Sequence, residues 1–156
     1  MDKAAALMND MPADRAGKDM SGAVDYLAGH DATTGDGIGV VGFCMGGGLA
    51  LLGPTVSDAI CCSVAFYPAM PWPHFSPDWS RYAGKAALVH LAEHDGPDTV
   101  PAVAALGEQI VAAGGSIAVV DYPGTSHAFF NDARPEVFDA DAAALAWSRT
   151  LAFLRE

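Results

Sequence analysis

The stretch GVVGFCMGGG, Gly39–Gly48, ends an apolar run at a cysteine and crowds that cysteine with glycines. Ile38–Phe43 does not alternate with polar residues, so it reads as a strand buried on both faces. After Cys44 the glycines give way to LALL, Leu49–Leu52, the start of a short helix. Gly42-Phe43-Cys44-Met45-Gly46-Gly47 between a strand and a helix has the form of a nucleophile elbow, with cysteine where serine usually stands. Such a turn is sharp and strained, so its neighbours must carry little or no side chain. The helix start supplies backbone N–H groups and a positive dipole end, and both favour a thiolate. The Met45 N–H is the candidate oxyanion donor. Gly37-x-Gly39-x-x-Gly42 also matches the dinucleotide fingerprint in letters. These glycines lie before and inside the strand, whereas the fingerprint follows it.

Outward from the elbow, the chain alternates strand and helix. Met20, Ala23, Val24 and Leu27 share one helical face that Gly29 closes. Ala59–Tyr67 is a second buried strand, and Ala86–Asp95 is a third that ends in acids. Val103, Leu106 and Ile110 mark a helix stopped by Gly114-Gly115. Ser116–Pro123 is a fourth strand. Trp147, Leu151 and Leu154 mark a closing helix, expected to begin after Pro135. This order predicts an α/β fold of about four parallel strands flanked by helices, in a single domain over residues 1–156.

Composition narrows the function. The chain has 156 residues, enough for one domain with a real core. With 51% hydrophobic and 17% charged residues it is no disordered segment. Eight basic against 19 acidic residues give a net charge of -11, which argues against nucleic acid or an anionic membrane as partner. The N-terminus lacks the apolar run of a secretion signal, and no run is long enough to span a bilayer. Three cysteines, two of them adjacent, form no disulfide framework, so a cytoplasmic location is expected.

A nucleophilic thiol needs a base, and the base needs an orienting acid. In α/β hydrolases the chain order is nucleophile, acid, histidine. Asp95 lies just past the C-terminal end of the third strand, where catalytic groups gather in open α/β sheets. His127 follows the fourth strand in YPGTSHAFF. Order and placement give Cys44, Asp95 and His127 as the candidate catalytic set, with Asp98 a competitor for the acid.

GFCMGG, AEHDGPDTVP, GTSHAFFN and AAALAWSRTLAFL, spread from Gly42 to the C-terminus, resemble the dienelactone hydrolase family. The resemblance implies an abbreviated α/β-hydrolase fold without a cofactor. It further implies that Cys44 attacks an ester or lactone carbonyl, His127 shuttles the proton and Asp95 holds the imidazole. A thioester acyl-enzyme would then be hydrolysed by water. The family carries further strands before the elbow strand. They hold the second oxyanion donor, a glutamate beside the thiol and a substrate-gripping arginine, and this sequence is expected to lack them. The stretch after His127, Ala128–Asn131, has no basic residue either. The elbow strand then presents an open edge, which a homodimer or the N-terminal helical segment would cover. The alternative is a catalytically silent, truncated hydrolase-like domain that binds a ligand or partner.

Other features have more than one reading. Trp72, His74, Phe75, Trp79 and Tyr82 either line a pocket above Cys44 or cover the core. Phe43, Tyr67 and Trp72 are the candidate substrate-binding residues. His90-Leu91-Ala92-Glu93-His94 matches an inverted zinc motif, but on a strand its histidines stand about 13 Å apart, so no metal is expected. Cys61 and Cys62 lie mid-strand. Their side chains are expected on opposite faces, as small buried hydrophobes.

Overall fold

A computed structural model describes residues 3, 6, 7, 10–35, 37–69 and 77–156. Helix α1 (Ala13–Ala28) precedes strand β1 (Ile38–Phe43), helix α2 (Met45–Val56) and strand β2 (Ile60–Phe66). A 3₁₀ turn at Trp79–Tyr82 leads into β3 (Ala86–His94), α3 (Thr99–Ala112), β4 (Ser116–Ser126) and α4 (Ala140–Phe153). The four strands form one parallel sheet in the order β1-β2-β3-β4.

The apolar runs pack both faces of the sheet. Ala65, Ala87, Val89 and Leu91 bury one face under Leu51 of α2 and Val103, Leu106 and Ile110 of α3. The alternate residues Val64, Phe66, Leu88 and Ala92 bury the other face against Ala146 of α4 and Phe129. Period-two alternation thus sorts side chains between two apolar layers, which is why no polar alternation shows in the sequence. Helix α1 packs on α2. The C-terminal carbonyls of α2 are capped by cations. Arg81 donates to Thr55 O at 2.7 Å, and Lys85 donates to Pro54 O at 2.8 Å.

Beyond single-residue shifts at strand ends, three features refine the sequence reading. β4 runs past Pro123 to Ser126, because its pairing with β3 resumes at His94↔Ser126 after a register shift. α4 starts at Ala140, where the Asp139 side chain caps it by accepting from the Ala142 N–H at 2.9 Å. This lies after Pro135, as expected, with a turn at Pro135–Val137 in between. The third feature is a β-bulge. Ile38 pairs with Ile60 and Gly39 with Cys62, which leaves Cys61 unpaired. The two thiols therefore do not take opposite faces. Their sulfurs lie 3.8 Å apart, Cys61 exposed and Cys62 partly buried.

Candidate active site

The site gathers at the C-terminal ends of the strands. Cys44 sits between β1 and α2 with φ 54° and ψ −122°, a conformation that side chains rarely adopt. Backbone hydrogen bonds hold it there. Its N–H donates to Phe66 O at 3.0 Å, and its carbonyl accepts from Gly47, Gly48 and Ala69. Gly42 is required by contact, since a Cβ there would overlap the Gly46 carbonyl. Gly46 is different: a Cβ there meets nothing within 4 Å. The glycine demand of the elbow thus falls on Gly42 and on Gly47, where a Cβ would meet Phe66 O at 2.9 Å, and not on Gly46. Met45 is the first residue of α2, so its N–H is among those a helix leaves without an internal partner.

His127 follows directly on β4, and its Nδ1 lies 2.8 Å from Asp95 Oδ1. The Asp95 carboxylate is 1% exposed. Its second oxygen accepts from the Ala92 N–H at 3.0 Å, so both oxygens are satisfied. Asp98, the competing acid, stands instead at the exposed start of α3. With Nδ1–H donated to the carboxylate, Nε2 is the free ring nitrogen. The Asp95 hydrogen bond holds the His127 pKa above its ordinary value, against the opposing effect of burial, and the neighbouring Cys44 thiol adds to the rise. Sequence-predicted Cys44, Asp95 and His127 are therefore brought together.

Tyr67 closes the back of the site. It is 3% exposed, has φ 37° and stands edge-on to the His127 ring at 5.0 Å. Burial first, then the charges of Cys44 and Asp95, pushes its phenol up to about 12, so it stays neutral. Phe43 is partly exposed beside Cys44 and stacks on Phe66 at 4.6 Å and near Phe130 at 5.3 Å. Trp72, with His74 and Phe75, lies outside the described residues. Trp79 and Tyr82 cover the core: Tyr82 is fully buried, its hydroxyl 2.6 Å from Leu51 O. Ala128, at φ 70°, turns the chain sharply after His127. Nothing in its residue type announces that turn. The three non-glycine residues with positive φ among those described, Cys44, Tyr67 and Ala128, all lie at this site.

The model of the dienelactone hydrolase family matches residues 1–156. The chain belongs to the dienelactone hydrolase family. It is 31% identical over 159 residues to Protein usf of Aquifex pyrophilus, covering 99% of this chain and 68% of that one. It is also 31% identical to a Bradyrhizobium protein named as a probable 2-oxo-3-(5-oxofuran-2-ylidene)propanoate lactonase, covering 88% of this chain and 58% of the relative. A solved structure from Klebsiella pneumoniae, assigned as a dienelactone hydrolase, superposes with a TM-score of 0.77 at 22% identity, covering 94% of this chain and 63% of that one. The chain thus spans roughly three fifths of the length of the Bradyrhizobium and Klebsiella proteins. The fold is the α/β arrangement of this family, four parallel strands flanked by helices.

His90 and His94 of the zinc-like motif do not converge. His90 is fully buried, with Nε2 3.0 Å from Thr150 Oγ1 and Nδ1 2.9 Å from the Tyr122 hydroxyl, while His94 is exposed at the end of β3. Burial, with Arg149 adding to it, lowers the His90 pKa to about 4. Among the described residues no helix is long and apolar enough to cross a membrane.

Proposed function

We propose that the chain, as a single domain, hydrolyses small ester or lactone bonds through Cys44, His127 and Asp95. The observation that carries this reading is the strained Cys44 turn beside an imidazole whose far nitrogen meets a buried carboxylate at 2.8 Å. In this mechanism the Cys44 sulfur attacks the carbonyl and His127 Nε2 takes the thiol proton. The developing oxyanion faces the Met45 N–H and the positive end of α2. His127 then protonates the departing alkoxide, leaving a thioester on Cys44. Water, deprotonated by the same nitrogen, hydrolyses that thioester. Asp95 holds the tautomer and balances the imidazolium. Family membership and the lactonase name of one relative support the ester and lactone class. Phe43, Tyr67 and Trp72 are proposed to face the substrate. The net charge of -11 and the lack of a basic residue between His127 and Arg134 favour neutral substrates over carboxylates.

We also propose that two copies associate through the open edge of β1, the outer strand on the nucleophile side. Size-exclusion with light scattering reads this directly, and a monomer at all concentrations refutes it. The catalytic reading is tested by hydrolysis of para-nitrophenyl acetate beside Cys44→Ala. Turnover that vanishes in the variant is expected. Equal rates at the buffer background would overturn it in favour of a silent binding domain.

A further inference from the structure

The cysteine pair at the start of β2 is not used by the proposed chemistry. Cys62 stands four residues before Phe66, whose carbonyl holds the elbow, so it lies about 13 Å along the strand from the site. The bulge re-aims Cys61 so that its sulfur touches Cys62 Sγ at 3.8 Å and approaches Ile38 O at 3.7 Å. Both sulfurs sit over glycines. A Cβ on Gly37 would come 2.8 Å from Cys61 Sγ, and one on Gly39 would come 3.2 Å from Cys62 Sγ. Room for the two thiols is therefore built into the neighbouring strand.

Geometry decides what such a pair can hold. A direct disulfide prefers Cα atoms roughly 4.4–6.8 Å apart. Adjacent residues across a trans peptide are fixed at about 3.8 Å, so an S–S bond between them is strained. A bridging atom fits better. Two bonds of about 2.3 Å, at angles from about 90° for a pyramidal trivalent atom up to tetrahedral, place their sulfurs about 3.2–3.8 Å apart, so a closure of a few tenths of an ångström from the 3.8 Å found here suffices. A structural zinc ion would need four protein ligands. No group of three or more metal-ligating side chains exists among the described residues. The acceptor must then be satisfied by two sulfurs alone.

We propose that Cys61 and Cys62 form a bidentate thiol site for monosubstituted trivalent arsenicals, soft acceptors that complete their valence with two sulfurs. With phenylarsine oxide the balance is simple. Two As–S bonds form, the arsenic–oxygen bond is lost, and the two thiol protons leave with that oxygen as water. Arsenic stays trivalent, so no oxidant or reductant is needed. The exposed Cys61 reacts first. Burial, and then the neighbouring Cys61, pushes the Cys62 thiol up to about 12, so it waits protonated and closes the ring within the same complex.

The test uses the whole chain, phenylarsine oxide and intact-protein mass spectrometry, and does not depend on hydrolytic activity. The expected result is a single adduct on wild type and on Cys44→Ala that survives excess glutathione and is removed by dithiothreitol. Peptide mapping after iodoacetamide should then find Cys44 alkylated and Cys61 and Cys62 protected. Cys61→Ser and Cys62→Ser should each lose the glutathione-resistant adduct. A wild-type adduct stripped by glutathione, or one that persists in either serine variant, overturns the proposal.

Discussion

Gly42 and Gly46 flank the same cysteine, yet alanine at the two positions should behave oppositely. A methyl group on Gly42 would overlap the Gly46 carbonyl and stand 2.8 Å from Gly47 N. These are backbone atoms of the first turn of α2, and that turn cannot back away. A Cβ on Gly47 would already meet Phe66 O at 2.9 Å, so the helix start is pressed against the end of β2. Overpacking where side chains can yield costs about 1–3 kcal/mol. With only backbone to move, Gly42→Ala should cost about 3 kcal/mol or more. For a chain of this size each kcal/mol lowers Tm by roughly 2–4 °C, so the expected fall is about 6–12 °C. Relief of the clash also displaces Cys44, so ester hydrolysis should fall with stability. At Gly46 a Cβ meets open space, and alanine is the better helix former by up to about 1 kcal/mol. Gly46→Ala should match or exceed wild-type stability. Urea titration and thermal melts of the two variants read the contrast. A Gly42→Ala midpoint equal to wild type, or an equal loss at Gly46, would refute the steric reasoning.

Further expectations concern charge and strain. If His127 is the base, activity rises as its imidazole loses a proton, so the acid limb of kcat/KM should have its midpoint above 6.5. Asp95→Asn removes the main cause of that raised pKa and should move the limb downward; an unmoved limb assigns it to another group. The same raised pKa makes the His127–Asp95 pair stabilise the fold below pH 6.5, an effect lost as pH rises through the folded value. His90 acts in the opposite direction, because its folded pKa of about 4 lies below the unfolded 6.5. Its contribution is complete above 6.5 and lost as pH falls through about 4, so His90→Gln should flatten the acid side of the stability profile. Cys44→Gly relieves a backbone strain of about 1–3 kcal/mol. It should raise the urea midpoint while abolishing turnover, and a lowered midpoint would deny that strain. Tyr122→Phe leaves His90 Nδ1 without its 2.9 Å partner and should cost about 1–3 kcal/mol by the same titration.

The strands, their succession along the chain and the elbow were legible because each rests on local pattern. Ala59–Tyr67 lacks polar alternation because both sheet faces are covered there; Ile38–Phe43 reads as buried on both faces too, but as an outer strand it is only partly covered, with Gly39 and Phe43 exposed. The positions of Asp95 and His127 followed from the rule that strand ends carry function. The choice of Asp95 over Asp98 was not legible. It depends on the Ala92 N–H and on a turn that buries one carboxylate and leaves the other at the surface. The Cys61 bulge was hidden too, since it arises from pairing between two strands and strict alternation cannot register it. Likewise the end of β4 at Ser126 reflects resumed pairing with β3, across a stretch containing Pro123 and Gly124 that reads locally as a turn.

The strand that presents the nucleophile is also one of the two edge strands of the described sheet. Among the described residues β1 is bonded on one side only, to β2, whereas β2 and β3 have a strand on each side. Within one copy, amides that point away from β2 have no ladder partner among the described residues, so in the dissociated chain cooperative opening should start there. On warming, the chain should stop turning over substrate while its far-ultraviolet dichroism is still native. Hydrogen exchange should find β1 and the Cys44 turn losing protection before β3. Its working temperature limit would then be set by the fraying of one strand, not by the melting of the core.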